Sequence, residues 1–147
     1  MLRALAVGCV VAVAGAQTQS AGYNNGAYGY CSVAAGGSTH RVYRAYATVR
    51  GGYYNFIYGY GATIGGGMYN TDGGSWSTVS GGWYNHAFAP HSTIAGGHWN
   101  WIYSYAATIG GGMYNSAYGS WSTVGGGWYV KSMSTWSAIG GGWSSNA

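Results

Sequence analysis

Residues 62–121 hold four consecutive units of fifteen residues, ATIGGGMYNTDGGSW, STVSGGWYNHAFAPH, STIAGGHWNWIYSYA and ATIGGGMYNSAYGSW, which begin at Ala62, Ser77, Ser92 and Ala107. Further units of the same pattern begin, without any gap, at Ser32, Ala47, Ser122 and Ser137. Residues 17–31 continue the register with a decayed first half. Such strict spacing predicts a solenoid in which every unit stacks on its neighbours. Positions within a unit are numbered 1 to 15 below, with Ser77 at position 1.

The composition of the unit favours short strands and turns. Fifteen residues are too few for a helical hairpin, and a Gly-Gly pair in every unit would destabilise a helix. We therefore predict an all-β fold, a parallel β-solenoid of fifteen-residue coils. Position 1, always Ser or Ala, and position 3 lie on one strand face and should point inward, which places the threonine of position 2 outside. The inward aliphatic ladder at position 3 contains Val49, Ile64, Val79, Ile94, Ile109, Val124 and Ile139.

Two turns are expected in each coil. The Gly-Gly pair at positions 5 and 6 should form a tight corner that needs a positive φ or a close approach of stacked backbones. The asparagine of position 9 is expected in a second turn, where it tolerates the left-handed region and its amide can bond the asparagine one coil away. This row contains Asn55, Asn70, Asn85, Asn100 and Asn115.

The first sixteen residues, MLRALAVGCVVAVAGA, have the features of an export signal. A short apolar run follows one Arg and ends in Ala-Gly-Ala, which has the small-x-small form of a signal-peptidase site. We expect residues 1–16 to be a signal peptide, with a buried N-terminal strand as the alternative, and residues 17–147 to form a single solenoid domain of about nine coils with an incomplete last coil. The apolar run is too short to span a bilayer. The mature chain is therefore expected outside the cell or at its surface, without a transmembrane segment.

Removal of these residues would leave Cys31 as a lone cysteine. In an exported chain it could form an intermolecular disulfide or remain a free thiol, and it could equally be a small buried apolar residue.

The cations that remain after removal of residues 1–16 are Arg41, Arg44, Arg50 and Lys131. They are too few for the roughly 6 to 10 phosphate contacts of a typical nucleic-acid-binding protein, so no nucleic-acid partner is expected.

The inventory of acidic residues excludes several enzyme classes. Asp72 is the single acidic residue and the chain has no Glu, so neither a carboxylate pair for glycoside hydrolysis nor a carboxylate cluster for a hard divalent cation can form. The histidines, His40, His86, His91 and His98, occupy different coil positions and match no zinc spacing. A Ser-His-Asp set would need Asp72, which replaces a usually apolar inward residue. We predict no catalytic residue, no metal or cofactor site, and no enzymatic activity.

The repeat motif resembles a known family. The units ATVRGGYYN, STVSGGWYNHAFA, STIAGGHWN and ATIGGGMYNSAYG are similar to the head repeats of trimeric autotransporter adhesins and to related bacterial repeats of the form Ser-Thr-Val-x-Gly-Gly-x-x-Asn-x-Ala-x-Gly. The resemblance implies a left-handed parallel β-roll, often trimeric, which is displayed outside the cell and adheres to matrix or host surfaces. This chain is much richer in Trp and Tyr than those heads.

Aromatic residues recur at fixed positions of the coil. Position 8 holds Tyr54, Tyr69, Tyr84, Trp99, Tyr114 and Tyr129, position 12 holds Tyr28, Tyr43, Tyr58, Phe88, Tyr103 and Tyr118, and a looser column includes Trp76, Trp121 and Trp136. With coils about 4.8 Å apart, each column should become a ladder of stacked rings. Burial in a subunit interface, stacking on sugar rings, and coverage of the solenoid by its own side chains are the three explanations for these rings.

The last unit, SAIGGGWSSNA, stops within an ordinary coil, and its Ile139 and Trp143 are candidates for head-to-tail stacking on another chain.

The predicted function is that of a self-assembling structural protein, which forms an extracellular fibre or surface coat with itself as partner. An adhesin or carbohydrate-binding protein that contacts glycans or matrix proteins is the first alternative, and a fragment of a longer repeat protein is another interpretation. An ice-binding solenoid is the second alternative function, for which the ligand-facing row would be Thr48, Thr63, Thr78, Thr93, Thr108 and Thr123.

Overall fold

The computed structural model describes residues 12–13, 16–17 and 19–147, with side chains from residue 19 onward. All regular elements in these ranges are strands of two residues. Their bounds are β1 Ala12–Val13, β2 Ala16–Gln17, β3 Gln19–Ser20, β4 Gly26–Ala27, β5 Val33–Ala34, β6 Arg41–Val42, β7 Thr48–Val49, β8 Phe56–Ile57, β9 Thr63–Ile64, β10 Thr71–Asp72, β11 Thr78–Val79, β12 His86–Ala87, β13 Thr93–Ile94, β14 Trp101–Ile102, β15 Thr108–Ile109, β16 Ser116–Ala117, β17 Thr123–Val124, β18 Lys131–Ser132 and β19 Ala138–Ile139.

The strands form two long parallel sheets. Odd-numbered strands from β3 to β19 make a nine-stranded sheet, and even-numbered strands from β4 to β18 make an eight-stranded sheet. From β4 onward, each strand pairs with the next strand of its sheet fifteen residues further along the chain, as Thr78 does with Thr93 and His86 with Trp101. The predicted parallel β-solenoid of fifteen-residue coils is therefore confirmed.

A third line of contact runs along position 7. Isolated parallel bridges join this position from coil to coil, so each coil touches its neighbour along three lines. The bridged residues are Tyr23, Ser38, Tyr53, Met68, Trp83, His98, Met113, Trp128 and Trp143.

The first coil departs from the predicted register. Gln19 pairs with Val33, a separation of 14 residues by number, whereas Tyr23 and Ser38 are fifteen residues apart. The expected continuation of the register is confirmed at Tyr23 and Ala27, which pair with Ser38 and Val42, and the one-residue offset falls in the half of the unit that had decayed. The corner between β3 and Tyr23 is one residue shorter than the later corners, and a single glycine, Gly22 with φ 96°, makes its turn.

The core consists of the side chains at positions 1, 3, 9 and 11. Position 1 is buried from Ser32 to Ser122, and the aliphatic ladder at position 3 is fully buried from Val49 to Val124. Ile139 packs against this core and is only partly buried. The inward orientation predicted for positions 1 and 3 is confirmed, and the threonine of position 2 lies on the outer side of the nine-stranded sheet.

The second glycine of each Gly-Gly pair forms the corner of the coil. Gly82 has a φ of 91°, and a Cβ atom there would overlap the carbonyl oxygen of Gly97 in the next coil. Gly97 repeats this arrangement with a φ of 89° against Gly112. Both requirements predicted for the corner, positive φ and close backbone approach, hold at this position.

The asparagine of position 9 serves a different purpose from the one expected. The left-handed conformation belongs to the residue before it, as in Tyr84 (φ 57°) and Trp99 (φ 58°), so its assignment to Asn85 was wrong. Asn85 is fully buried; its Oδ1 accepts the backbone N–H of Asn100 at 3.0 Å. Its Nδ2 donates to the carbonyl oxygens of the glycines at positions 81 and 97, both at 2.9 Å. The side chain therefore satisfies backbone groups on its own coil and on the next.

This ladder of hydrogen bonds runs through most of the solenoid. The Oδ1 of Asn55, Asn70, Asn85 and Asn100 each accepts the N–H of the next asparagine. The predicted bond between two side-chain amides occurs between Asn100 Nδ2 and Asn85 Oδ1, at 3.1 Å. His40 replaces asparagine in one coil, and its Nδ1 accepts the N–H of Asn55 at 3.3 Å. We refer to this row as the asparagine ladder.

The N-terminal segment is described only in part. Strands β1 and β2 pair antiparallel, with Ala12 opposite Gln17. Most of the predicted signal peptide, residues 1–16, lies outside the described residues. Within the described part of the chain, no helix is long and apolar enough to cross a membrane.

Replacement of one rung of the asparagine ladder should weaken the solenoid. The variant Asn85→Val removes the acceptor of Asn100 N–H and the donor to two glycine carbonyls, so we expect the free energy of unfolding to fall by about 2 to 4 kcal/mol. Val130 occupies the same coil position and is buried, so valine fits the site. Urea unfolding followed by circular dichroism measures the change. Thr78→Val, on the outer side of the other sheet, is the control, and an equal effect of both variants would contradict the role of the ladder.

Candidate functional site

The outer side of the eight-stranded sheet is covered with aromatic rings. Positions 8, 10 and 12 lie side by side on it, as shown by the ring contacts of Tyr54 with Phe56 at 5.2 Å and of Phe56 with Tyr58 at 6.5 Å between centroids. We call this surface the aromatic face. It consists of Tyr54, Phe56, Tyr58, Tyr69, Thr71, Tyr84, His86, Phe88, Trp99, Trp101, Tyr103, Tyr114, Ser116, Tyr118, Tyr129, Lys131 and Met133.

The structure brings all six aromatic residues of position 8 into one continuous stack. Successive ring centroids, from Tyr54 to Tyr129, are 5.3, 5.5, 4.6, 5.8 and 4.8 Å apart. The rings cover one another in part, yet Tyr54 and Tyr129 remain 38% and 47% exposed. The predicted ladder exists, and it still presents apolar surface outward.

The column at position 12 is divided by Gly73. Tyr28, Tyr43 and Tyr58 stack at 5.5 and 5.0 Å, and Phe88, Tyr103 and Tyr118 stack at 5.7 and 5.0 Å. Burial raises the pKa of Tyr58 and of Tyr103 above the ordinary value, and the neighbouring phenol makes a smaller contribution in the same direction. These phenols are therefore neutral at physiological pH and can donate as well as accept hydrogen bonds.

A second aromatic strip follows the corner at positions 14 and 15. Trp121 and Trp136 stack at 5.3 Å, and Tyr60 contacts Trp76 edge to face at 5.4 Å. The looser column predicted for Trp76, Trp121 and Trp136 is interrupted, since His91 and Ala106 hold the intervening places. All three tryptophans are strongly exposed.

Two open grooves interrupt the aromatic surfaces. One, of about 470 Å³, follows the glycine corner beside Tyr53, Met68 and Trp83. The other, of about 350 Å³, lies on the aromatic face around Ser116. Position 10, which forms the middle of that face, was not among the sequence-predicted sites. The alternation of large residues at positions 8, 10 and 12 is the signal that could have indicated it, because alternate residues of a strand share one face.

The threonine row lies on the opposite side of the solenoid. Thr48, Thr63, Thr78, Thr93, Thr108 and Thr123 pair in register along the nine-stranded sheet. Position 4 beside them is exposed and mostly small, with Arg50 as the exception. The row is thus a regular column of hydroxyl groups, well separated from the aromatic face.

Ile139 and Trp143 lie in the last described coil. Strand β19 has a neighbour on one side only, so its second backbone edge has no strand partner in the described structure. Trp143 is 73% exposed and contacts Trp128 at 4.6 Å between ring centroids. The candidate end-contact residues therefore adjoin a free sheet edge.

Cys31 is a half-buried free thiol, with no disulfide to any described residue. It has a positive φ of 51° in the corner at position 15. The side chain is only partly buried, and the intermolecular disulfide stays a prediction.

Asp72 points into the core at position 11, between Ile57 and Ala87 of the adjacent strands. Burial raises the pKa of Asp72 to about 7, against hydrogen bonds from Ser77 and the backbone that lower it. Its Oδ2 atom has no hydrogen-bond partner within the described residues. The carboxyl group is therefore a defect in an apolar ladder and does not face solvent.

Histidines and other metal-ligating residues do not converge. In the described part of the chain, no three His, Cys, Asp or Glu side chains are close enough to hold a metal ion. Burial lowers the pKa of His40 and of His86, so both imidazoles are neutral at pH 7. His40 is engaged in the asparagine ladder.

Comparison with known proteins adds no functional assignment, since no protein-family model matches the chain and no curated protein is significantly similar to it. The candidate functional surface is therefore defined by geometry: the aromatic face, its groove at Ser116, and the exposed Trp143 of the last coil.

Protonation of Asp72 should stabilise the fold. Its folded-state pKa of about 7 exceeds the ordinary value of 3.8, so the contribution of Asp72 to stability is greatest below pH 4 and falls as pH rises towards 7, by up to about 4 kcal/mol. Asp72→Ala, which copies Ala87 and Ala117, should remove this dependence. The lowered pKa values of His40 and His86 make stability fall as pH decreases, which opposes the effect of Asp72. The test is therefore the difference in melting temperature between wild type and Asp72→Ala, measured from pH 4 to 8. A difference independent of pH would contradict the assignment.

Proposed function

We propose that this protein is a self-assembling structural protein that forms an extracellular fibre or surface coat. The observation that carries the proposal is the aromatic face, a continuous apolar surface of half-exposed rings along the solenoid. Contiguous apolar patches of this kind are uncommon on monomeric soluble proteins and are typical of interfaces. The sequence features of an export signal support a location outside the cell.

A second copy of the chain is the partner that best matches this face. Lys131 is the single charged side chain among its residues, because His86 is neutral at pH 7. Arg41 stands at the same coil position as Lys131, next to Phe56, where the face begins. Two such faces can pack with Lys131 and Arg41 at the solvated ends of the contact, so that no unpaired charge is buried, which would be costly. Tyrosine hydroxyl groups at the rim can hydrogen-bond across the contact or to water. A partner rich in charged groups would have to lose their hydration against the rings.

The two ends of the sheets support a second mode of contact. β19 has one neighbouring strand, whereas the outer side of β18 is bridged by Asn146, and β3 and β4 are the edges of the described sheets at the other end. Every internal coil pairs with the next one in the same register. The edge of the last coil therefore presents the same backbone N–H donors and C=O acceptors that an internal coil presents to its neighbour. Stacking of copies along the axis would pair these groups and cover Trp143. Lateral and axial contacts together would build a fibre or a sheet of solenoids.

The resemblance to adhesin head repeats supports display at a cell surface and a trimeric arrangement as one form of lateral contact. Three solenoids packed through their aromatic faces would bury the columns of positions 8, 10 and 12. The absence of charge from most of the face fits such a buried position. In this proposal the rings act in assembly, and the protein is not an enzyme.

The assembly can be tested by electron microscopy and sedimentation velocity over a concentration series of the purified protein. Wild type should form filaments or laterally associated particles without any ligand. Tyr54→Lys combined with Tyr69→Lys should reduce lateral association about tenfold or more, because two charges would be buried at the contact. Trp143→Lys should shorten filaments selectively.

Thr78→Lys is the matched control, since it adds one charge on the opposite side of the solenoid. It should assemble as wild type does. Discrete monomers at every concentration of the wild-type protein would contradict the proposal, as would an equal effect of Thr78→Lys.

A further inference from the structure

We propose that the groove at Ser116 binds one carboxylated sugar ring, such as a uronate unit of an acidic polysaccharide. The groove arises from a small residue in a row of large ones. Ser116 stands at position 10 between Trp101 of the preceding coil and Lys131 of the following coil. Tyr114 and Tyr118 flank it within its own coil, at positions 8 and 12.

The dimensions of this groove suit a single ring. Its volume of about 350 Å³ is at the lower end of the range found for small-molecule sites. Trp101 and Lys131 are two coils apart, which corresponds to about 9.5 Å at the usual strand spacing. A ring placed between them can contact both walls at ordinary van der Waals distances. A longer saccharide could continue along the face over neighbouring rings.

The chemistry of the walls matches a sugar better than a purely apolar ligand. The rings offer flat apolar surfaces for the C–H face of a pyranose, while their phenol groups can bond its hydroxyls. The Nε1 of Trp101 is a buried donor without a partner in the described structure. A ligand oxygen reached by a small rotation of that ring would satisfy it, which favours a hydroxylated occupant.

Lys131 supplies the preference for a negative charge. Its side chain is exposed, and among the described residues it has no anionic partner. The only acidic side chain of the sequence, Asp72, is buried in the core several coils away. A single free ammonium group beside a ring-sized groove fits one carboxylate per bound ring. It does not fit a nucleic acid, which requires several cations along a backbone.

The groove at Ser116 lies on the aromatic face that the proposed assembly covers, so a bound oligomer and a second copy of the chain would compete for it. Tyr54 and Tyr69 lie at the other end of that face, outside the groove. The test uses isothermal titration calorimetry of the purified protein with an oligogalacturonate at pH 7.5 and low salt. The fully methyl-esterified oligomer, which has the same rings without charge, is the matched ligand. Wild type should bind the acidic form more tightly, and added salt should reduce that preference.

Three variants distinguish the elements of the site. Ser116→Trp fills the groove and should weaken binding of both oligomers at least tenfold; the coil accepts tryptophan at this position, as Trp101 shows. Lys131→Gln should weaken binding of the acidic oligomer about fivefold and leave the ester unchanged. Arg50→Gln, which removes a charge on the opposite side, should change neither.

Several outcomes would overturn the proposal. Absence of binding by wild type, equal affinity for acid and ester, or binding insensitive to Ser116→Trp would each do so. If Ser116→Trp alters sedimentation but leaves oligomer affinity intact, the occupant of the groove is a second copy of the chain instead. The double variant Tyr54→Lys with Tyr69→Lys, in which the groove stays uncovered, should bind the oligogalacturonate at least as tightly as wild type does, so a failure of assembly and a failure of the groove can be told apart.

Discussion

The buried asparagine that joins each coil to the next is the interaction on which this solenoid depends. Asn85 accepts the N–H of Asn100 and donates to two glycine carbonyls, and its neighbours repeat the pattern. A coil of fifteen residues with strands of only two residues has few other means to satisfy its corner backbone groups. The side chain spans two coils, so it fixes their register as well as their spacing. Any shift by one residue would leave these groups unpaired inside the core.

Once the register is fixed, every other position becomes a column. The same spacing that stacks Ile94 on Ile109 inside the core stacks Trp99 on Tyr84 outside it. The solenoid therefore converts a short sequence motif into a flat, ring-covered face. A single change in one coil creates a local feature on that face. Ser116 makes a groove, and Gly73 makes a gap in the column at position 12.

Much of this architecture could be predicted from the sequence because periodicity determines it directly. The inward ladder, the outward threonine row, the glycine corner and the aromatic columns follow from which residue types recur every fifteen places. The conformation of the second turn could not be predicted from residue type alone. Asparagine tolerates a positive φ, but the buried side chain of Asn85 is held by its hydrogen bonds, and Tyr84 before it adopts the positive φ instead. The groove at Ser116 depends on side chains of three coils, and the shortened corner at Gly22 depends on one missing residue, which a consensus motif does not reveal.

Native-state hydrogen exchange measured by NMR tests the central role of the asparagine ladder most directly. We expect the backbone amides of Asn70, Asn85, Asn100 and Asn115, each bonded to the asparagine side chain of the preceding coil, to exchange among the slowest in the chain and only when neighbouring coils separate. Protection should decline towards the edge coil that contains Ile139. Exchange of the four asparagine amides at the rate of an unstructured peptide, while the strand amides stay protected, would contradict the account.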